Sequence, residues 1–123
     1  MATLEDLEVT FIEEYESAML LIKYAKHKSA TILLSKALFA LVDYIIMKKY
    51  MQFPKNHTER FRILEAKEQV LYSIVDSVWS KYTETYSKPS SNEAIIFLKD
   101  AIESIGKNNE TISDKIKATI AKK

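Results

Sequence analysis

Residues 37–61 read ALFALVDYIIMKKYMQFPKNHTERF. From Ala37 to Met47 the run is almost unbroken in apolar character, interrupted by Asp43, and it ends in the basic pair Lys48 and Lys49. Ile32, Leu33, Leu34, Ala37, Leu38, Phe39, Leu41, Val42, Ile45 and Ile46 occupy more than one face of a helix from about 30 to 51, which suits the central helix of a bundle. Pro54 ends it, because the residue before a proline avoids helical geometry. Asn56 with Glu59 then forms a capping box and places His57 in the first turn of the next helix. Arg60 and Arg62 follow at once, and they are the only two arginines against sixteen lysines.

Upstream, Leu4, Leu7, Phe11, Tyr15, Ala18, Ile22 and Ala25 recur at helical spacing and predict one buried stripe on a helix from about 4 to 26. Thr3 with Asp6 approximates its capping box, and Ser29 after the KHK interval is the expected N-cap of the central helix. Downstream, Phe61 and Leu64 point inward, and EAKEQ (65–69) predicts a kink or break. Leu71, Ile74, Val75, Val78, Trp79 and Tyr82 carry the stripe on to about Tyr86. SKPSSN (87–92) is a loop, with Ser90 and Glu93 capping a helix whose seam is Ile95, Leu98, Ile102 and Ile105. Gly106 is read as a C-cap followed by a fresh helix from about Thr111, rather than as a point the helix runs through. The expected architecture is all-α: an up-and-down bundle of four to five helices in one domain, with a core over about 4–106 and a helical extension over 107–123.

Composition agrees. One glycine and two prolines in 123 residues is an extreme depletion of chain-breakers, as an all-helical chain allows. The absence of cysteine excludes disulfides, thiol catalysis and thiolate metal sites, and two histidines make zinc improbable. A formal net charge of +1 argues against duplex-DNA specificity. The first twenty residues nevertheless carry six acidic groups and no lysine or arginine, whereas KIKATIAKK (115–123) is basic. MATLEDLEVT has no signal-peptide profile, and the Ala37–Met47 run is too short for a bilayer, so a cytoplasmic protein with no membrane partner is expected.

Four residues are candidates for a site. A histidine in a first turn is kept neutral by the helix dipole and could take a proton from a ribose hydroxyl, making His57 a candidate base. Arg60 lies one turn on and could hold a phosphate, with Arg62 beside it. Asp43, inside an apolar helix, needs a cation and pairs with a lysine, Arg60 or Arg62, or else lines a cavity. Tyr72, Trp79 and Tyr86 recur every seven residues near Tyr82, as a base-stacking platform would, although core or subunit interface is the commoner use. The apolar excess of the central helix and this aromatic row together predict a homodimer. His27 reads as a solvated helix end, and no metal or other cofactor is expected.

Three segments carry a family likeness: SKALFALVDYIIMKKY (35–50), FPKNH (53–57) and YTETYSKPSSNEAIIFLKDAIESI (82–105). Over roughly residues 5–106 the chain resembles the HEPN family, small helical domains named for higher eukaryotes and prokaryotes nucleotide-binding. The resemblance implies two long opening helices, a homodimer and, for many members, a minimal nucleotidyltransferase as partner. Many members are metal-independent endoribonucleases that use an arginine followed four to six residues later by a histidine. His57 matches that histidine's place, but here both arginines follow it, and the closing arginine–tyrosine of related members is Thr85–Tyr86. The expectation is therefore a non-catalytic module that binds a nucleotide or RNA near His57, Arg60, Arg62 and Asp43. The alternative is a toxin-type endoribonuclease with His57 as base and Arg60 or Arg62 as phosphate clamp. A second alternative is a purely structural bundle.

Overall fold

Thr3 opens the first helix by a closed capping box: its hydroxyl accepts from the Asp6 N–H at 3.1 Å while Asp6 accepts from the Thr3 N–H at 2.9 Å. The computed structural model describes residues 2–122, so Lys123 of the expected extension lies outside the described residues. Among them are six helices and no strand: α1 (Leu4–Lys23), α2 (His27–Tyr50), α3 (His57–Lys67), α4 (Gln69–Glu84), α5 (Asn92–Asn108) and α6 (Asp114–Ala121). The expected all-α bundle is present, but with six helices where four to five were anticipated. The count rises because the third segment breaks in two and the tail forms a separate helix.

α1 and α2 pack along each other as a helical hairpin, and α2 also touches α4 and α5. Covered from several sides, α2 buries fourteen of its residues, Leu34, Leu38, Leu41, Ile45 and Ile46 completely. Each such side chain contributes about 1.5–3 kcal/mol on leaving water, which makes α2 the centre of the core. At 24 residues α2 is longer than the Ala37–Met47 run suggested, and by length and composition it could cross a membrane. Its most apolar window is 78% buried inside the fold, however, as the core helix of a bundle would be. The apolar excess that motivated a homodimer is thus used within the chain.

The helix ends moved where backbone geometry outweighed side-chain signals. α1 stops at Lys23, three residues early, because Ala25 adopts a left-handed conformation (φ 57°). Its N–H reaches the Ile22 carbonyl at 3.0 Å and the Lys26 N–H reaches that of Leu21 at 2.8 Å, a Schellman ending usually built on glycine. That turn feeds directly into α2 at His27, so Lys26 takes the N-cap position and Ser29 lies inside the helix rather than capping it. At the other end Met51, also left-handed (φ 55°), closes α2 before Pro54 is reached. Ser91, not Ser90, caps α5 through the Ala94 N–H at 3.3 Å. α3 and α4 are separated by the single residue Glu68, within the stretch where a break was expected.

Gly106 is not a C-cap. The helix runs through it to Asn108, without a positive φ, and α6 begins at Asp114 under a Ser113 cap rather than near Thr111. The glycine serves a close approach instead, since a Cβ there would stand 3.0 Å from Ile120 Cδ1 of α6. α6 packs on α1 and α5, and the Ser113 hydroxyl donates to Glu8 of α1.

Alanine in the left-handed region carries a penalty of about 1–2 kcal/mol that glycine escapes, partly offset by glycine's greater freedom when unfolded. Ala25→Gly should therefore raise stability by up to about 1 kcal/mol in urea denaturation. A loss of stability would mean that the turn is not the Schellman ending described.

Candidate functional site

Asp43 sits in the buried middle of α2, between Val42 and Tyr44, and is 5% exposed. A lone carboxylate there would carry a desolvation cost of several kcal/mol, and its partner arrives from α3. Arg60 Nε donates to Asp43 Oδ1 at 2.7 Å and Nη2 donates to Oδ2 at 2.8 Å. This two-pronged contact needs the planar guanidinium, and an ammonium could not reproduce it. Arg60 is itself 7% exposed, with its guanidinium carbon 5.2 Å from the centre of the Phe39 ring. Of the partners open to Asp43 on sequence grounds, the structure selects Arg60.

The third guanidinium nitrogen, Nη1, meets His57 Nδ1 one turn back on α3. Arginine only donates, so Nδ1 accepts, and the neutral ring then carries its proton on Nε2. Burial first, and the Arg60 charge second, push the His57 pKa below its ordinary 6.5. The imidazole is held between aromatic rings: Trp79 of α4 lies 4.1 Å away centre to centre, and Phe39 of α2 lies 5.0 Å away, edge-on. Asp43, Arg60, His57, Phe39 and Trp79 therefore form one clasp that joins α2, α3 and α4.

Arg62 is not part of it. Two residues on from Arg60 is about 200° around a helix, and Arg62 is exposed beside Gln52, Phe53, Glu59 and Ile63 in an open groove of about 330 Å³. The members of the aromatic row do not touch one another directly but meet through intervening rings. Tyr72 packs edge-on against Phe61, Trp79 packs on His57, and Tyr86 lies beyond the end of α4, exposed against Tyr82. Phe61 and Tyr82 join the three, with ring centres 6.4 Å and 5.6 Å from Trp79, so the row is one aromatic cluster whose exposed end is Tyr86. Thr85, at the place of the family's arginine, is buried and donates to the Tyr82 carbonyl at 2.6 Å.

Glu68 was legible only as a break. Its carboxylate accepts from Lys49 Nζ at 2.9 Å and from the Tyr50 hydroxyl, tying the α3–α4 junction to the end of α2. The basic pair after the apolar run was the available signal, since a cation at a helix end beside an acidic break invites such a bond.

Burial pushes the Asp43 carboxyl up from its ordinary value, against the hydrogen bond and charge of Arg60, which pull it down. The pair thus does not fully recover its desolvation, although losing one partner is worse than losing both. Asp43→Ala should lower stability by about 3–5 kcal/mol in urea denaturation, while Asp43→Leu with Arg60→Met should restore most of the loss. Equal losses in both variants would contradict this assignment. The sign for His57 follows from its depressed pKa. Below 6.5 the unfolded chain binds a proton that the folded ring refuses, so stability present at neutral pH declines as the pH falls. Lowering the pH from about 7.5 to about 5.5 should reduce the melting temperature more in the parent than in His57→Gln. Identical slopes would show that the ring is not held neutral.

The chain gives no significant match to any protein-family model, curated protein or solved structure, so what the clasp does is argued from its geometry.

Proposed function

We propose that the chain is a non-catalytic, HEPN-like helical module that works by binding and association. The observation that carries the reading is the occupancy of Arg60. Three of its five N–H donors are taken by Asp43 and His57, and the residue is only 7% exposed, so it is poorly placed to grip a phosphate without disturbing a buried ion pair. His57 has the same difficulty as a base. Its acceptor nitrogen already receives a hydrogen bond and its other nitrogen carries the proton, whereas a general base needs a free lone pair near the hydroxyl it activates. The sequence order supports the same view, with both arginines after His57 where the family's ribonucleases place one before it.

On this reading the module acts as a homodimer with a minimal nucleotidyltransferase-type partner in the cytoplasm, and a nucleotide or RNA is its ligand. Self-association is supported by apolar surface left on α4 and α5, where Val70, Ile96 and Phe97 are exposed. Small residues, Ser73, Ser77 and Ala101, line the groove between those helices and would allow close approach.

Two measurements test the proposal. Labelled single-stranded RNA incubated with the protein in excess chelator should remain intact, as it should with His57→Ala; cleavage that disappears in the variant would establish the endoribonuclease alternative. Light scattering at working concentration should report twice the 14.2 kDa of one chain, and a particle of 14.2 kDa would exclude the dimer.

A further inference from the structure

α6 is held by apolar anchors in a seat between α1 and α5. Ile112, just ahead of it, and Ile116 are buried, and Ile120 packs partly against the same core. Gly106 of α5 makes room for Ile120, and Glu8 of α1 accepts from the Ser113 hydroxyl at the helix start. Such a contact is a helix laid in a groove. A helix of eight residues does not hold its shape alone in water, so α6 depends on that seat or on continuity with a longer helix.

The sequence supplies the longer helix. The three-and-four spacing of Ile95, Leu98, Ile102 and Ile105 on α5 runs on in phase through Asn109 to Ile112 and Ile116, and no glycine or proline follows Gly106. The segment 109–113 interrupts it. Asn109 is extended (φ -130°, ψ 106°), and the Ile112 N–H closes a turn on the Asn109 carbonyl at 3.4 Å. This hinge has a polar defect: among the described residues, the Thr111 hydroxyl is the one side-chain polar atom buried without a hydrogen-bond partner. A straight helix removes the defect, because the hydroxyl then reaches the Lys107 carbonyl. Thr31, Ser35 and Thr119 already donate in that way to carbonyls four residues back.

We propose that α6 is exchanged between copies of the chain. It swings out on the 109–113 hinge as the end of a helix continuous with α5, and it takes on a second copy the α1–α5 seat it holds on its own. The second copy is the occupant the geometry favours, because its α6 carries the same isoleucines, the same Ser113 for Glu8 and the same fit at Gly106. Exchange reproduces every contact of the seat and changes only the hinge, which is why swapping an identical element is an inexpensive route to a dimer. A short hinge that leaves a polar group unsatisfied favours the open form further. The inference deepens the self-association proposed above by naming the element that is exchanged, and the α4–α5 surface takes no part in it.

Two full-length variants bias the hinge in opposite directions. Glu110→Pro suits the closed turn, since Asn109 before it is already extended, but it breaks a straight helix. Asn109→Leu with Ser113→Ala fills the polar gap in the seam and removes both the α6 cap and the bond to Glu8. Light scattering over a concentration series should show the dimer Kd raised about tenfold or more by Glu110→Pro and lowered about tenfold or more by the double substitution. Amide hydrogen exchange at residues 110–113 of the parent should be slower in the dimer than in the monomer, as the hinge becomes helical. A Glu110→Pro chain that folds and dimerises like the parent would overturn the exchange and leave the dimer itself standing. Hinge amides that exchange equally fast in parent monomer and dimer would do the same, whether or not the proline variant folds. If parent and both variants are all monomeric, the exchange and the dimer fail together.

Discussion

One ion pair constrains the candidate site. Asp43 is a carboxylate in the middle of the most deeply buried helix, and that position is tenable only while Arg60 is docked against it. Side-chain contacts of this kind, with Leu64 buried in the core, hold α3 against α2. Arg60 in turn sets the acceptor role of His57, and Trp79 and Phe39 enclose the imidazole. A polar group in an apolar helix thus fixes which face of α3 is turned inward, a registry role of the kind buried charges fill elsewhere.

The same contacts bear on the proposed chemistry. Histidine and arginine one turn apart on a helix can make a base and a phosphate clamp, but only if both are free to meet a substrate. Here Arg60 binds Asp43 and His57, and His57 Nδ1 is taken by Arg60, which favours a structural use of the pair.

The all-helical class, the central position of α2, the Thr3 and Asn56 caps and the Asp43 pairing were legible in the sequence, because each follows from a local pattern or a single energetic demand. Helix ends were less legible. Ala25 and Met51 occupy left-handed positions for which a chain with one glycine gives no residue signal, and that glycine is placed for the approach of Ile120 instead. The aromatic row illustrates the limit of periodicity: Tyr72, Trp79 and Tyr86 share a spacing, but α4 ends before the third member.

Nitrogen NMR of the imidazole reads most directly whether His57 is a neutral acceptor locked to Arg60. The expected spectrum is that of a ring protonated on Nε2 at neutral pH, with Nδ1 shifted as a hydrogen-bonded acceptor and with titration displaced below 6.5. A proton on Nδ1, or an ordinary titration with both tautomers exchanging, would contradict it and return His57 to the list of possible bases.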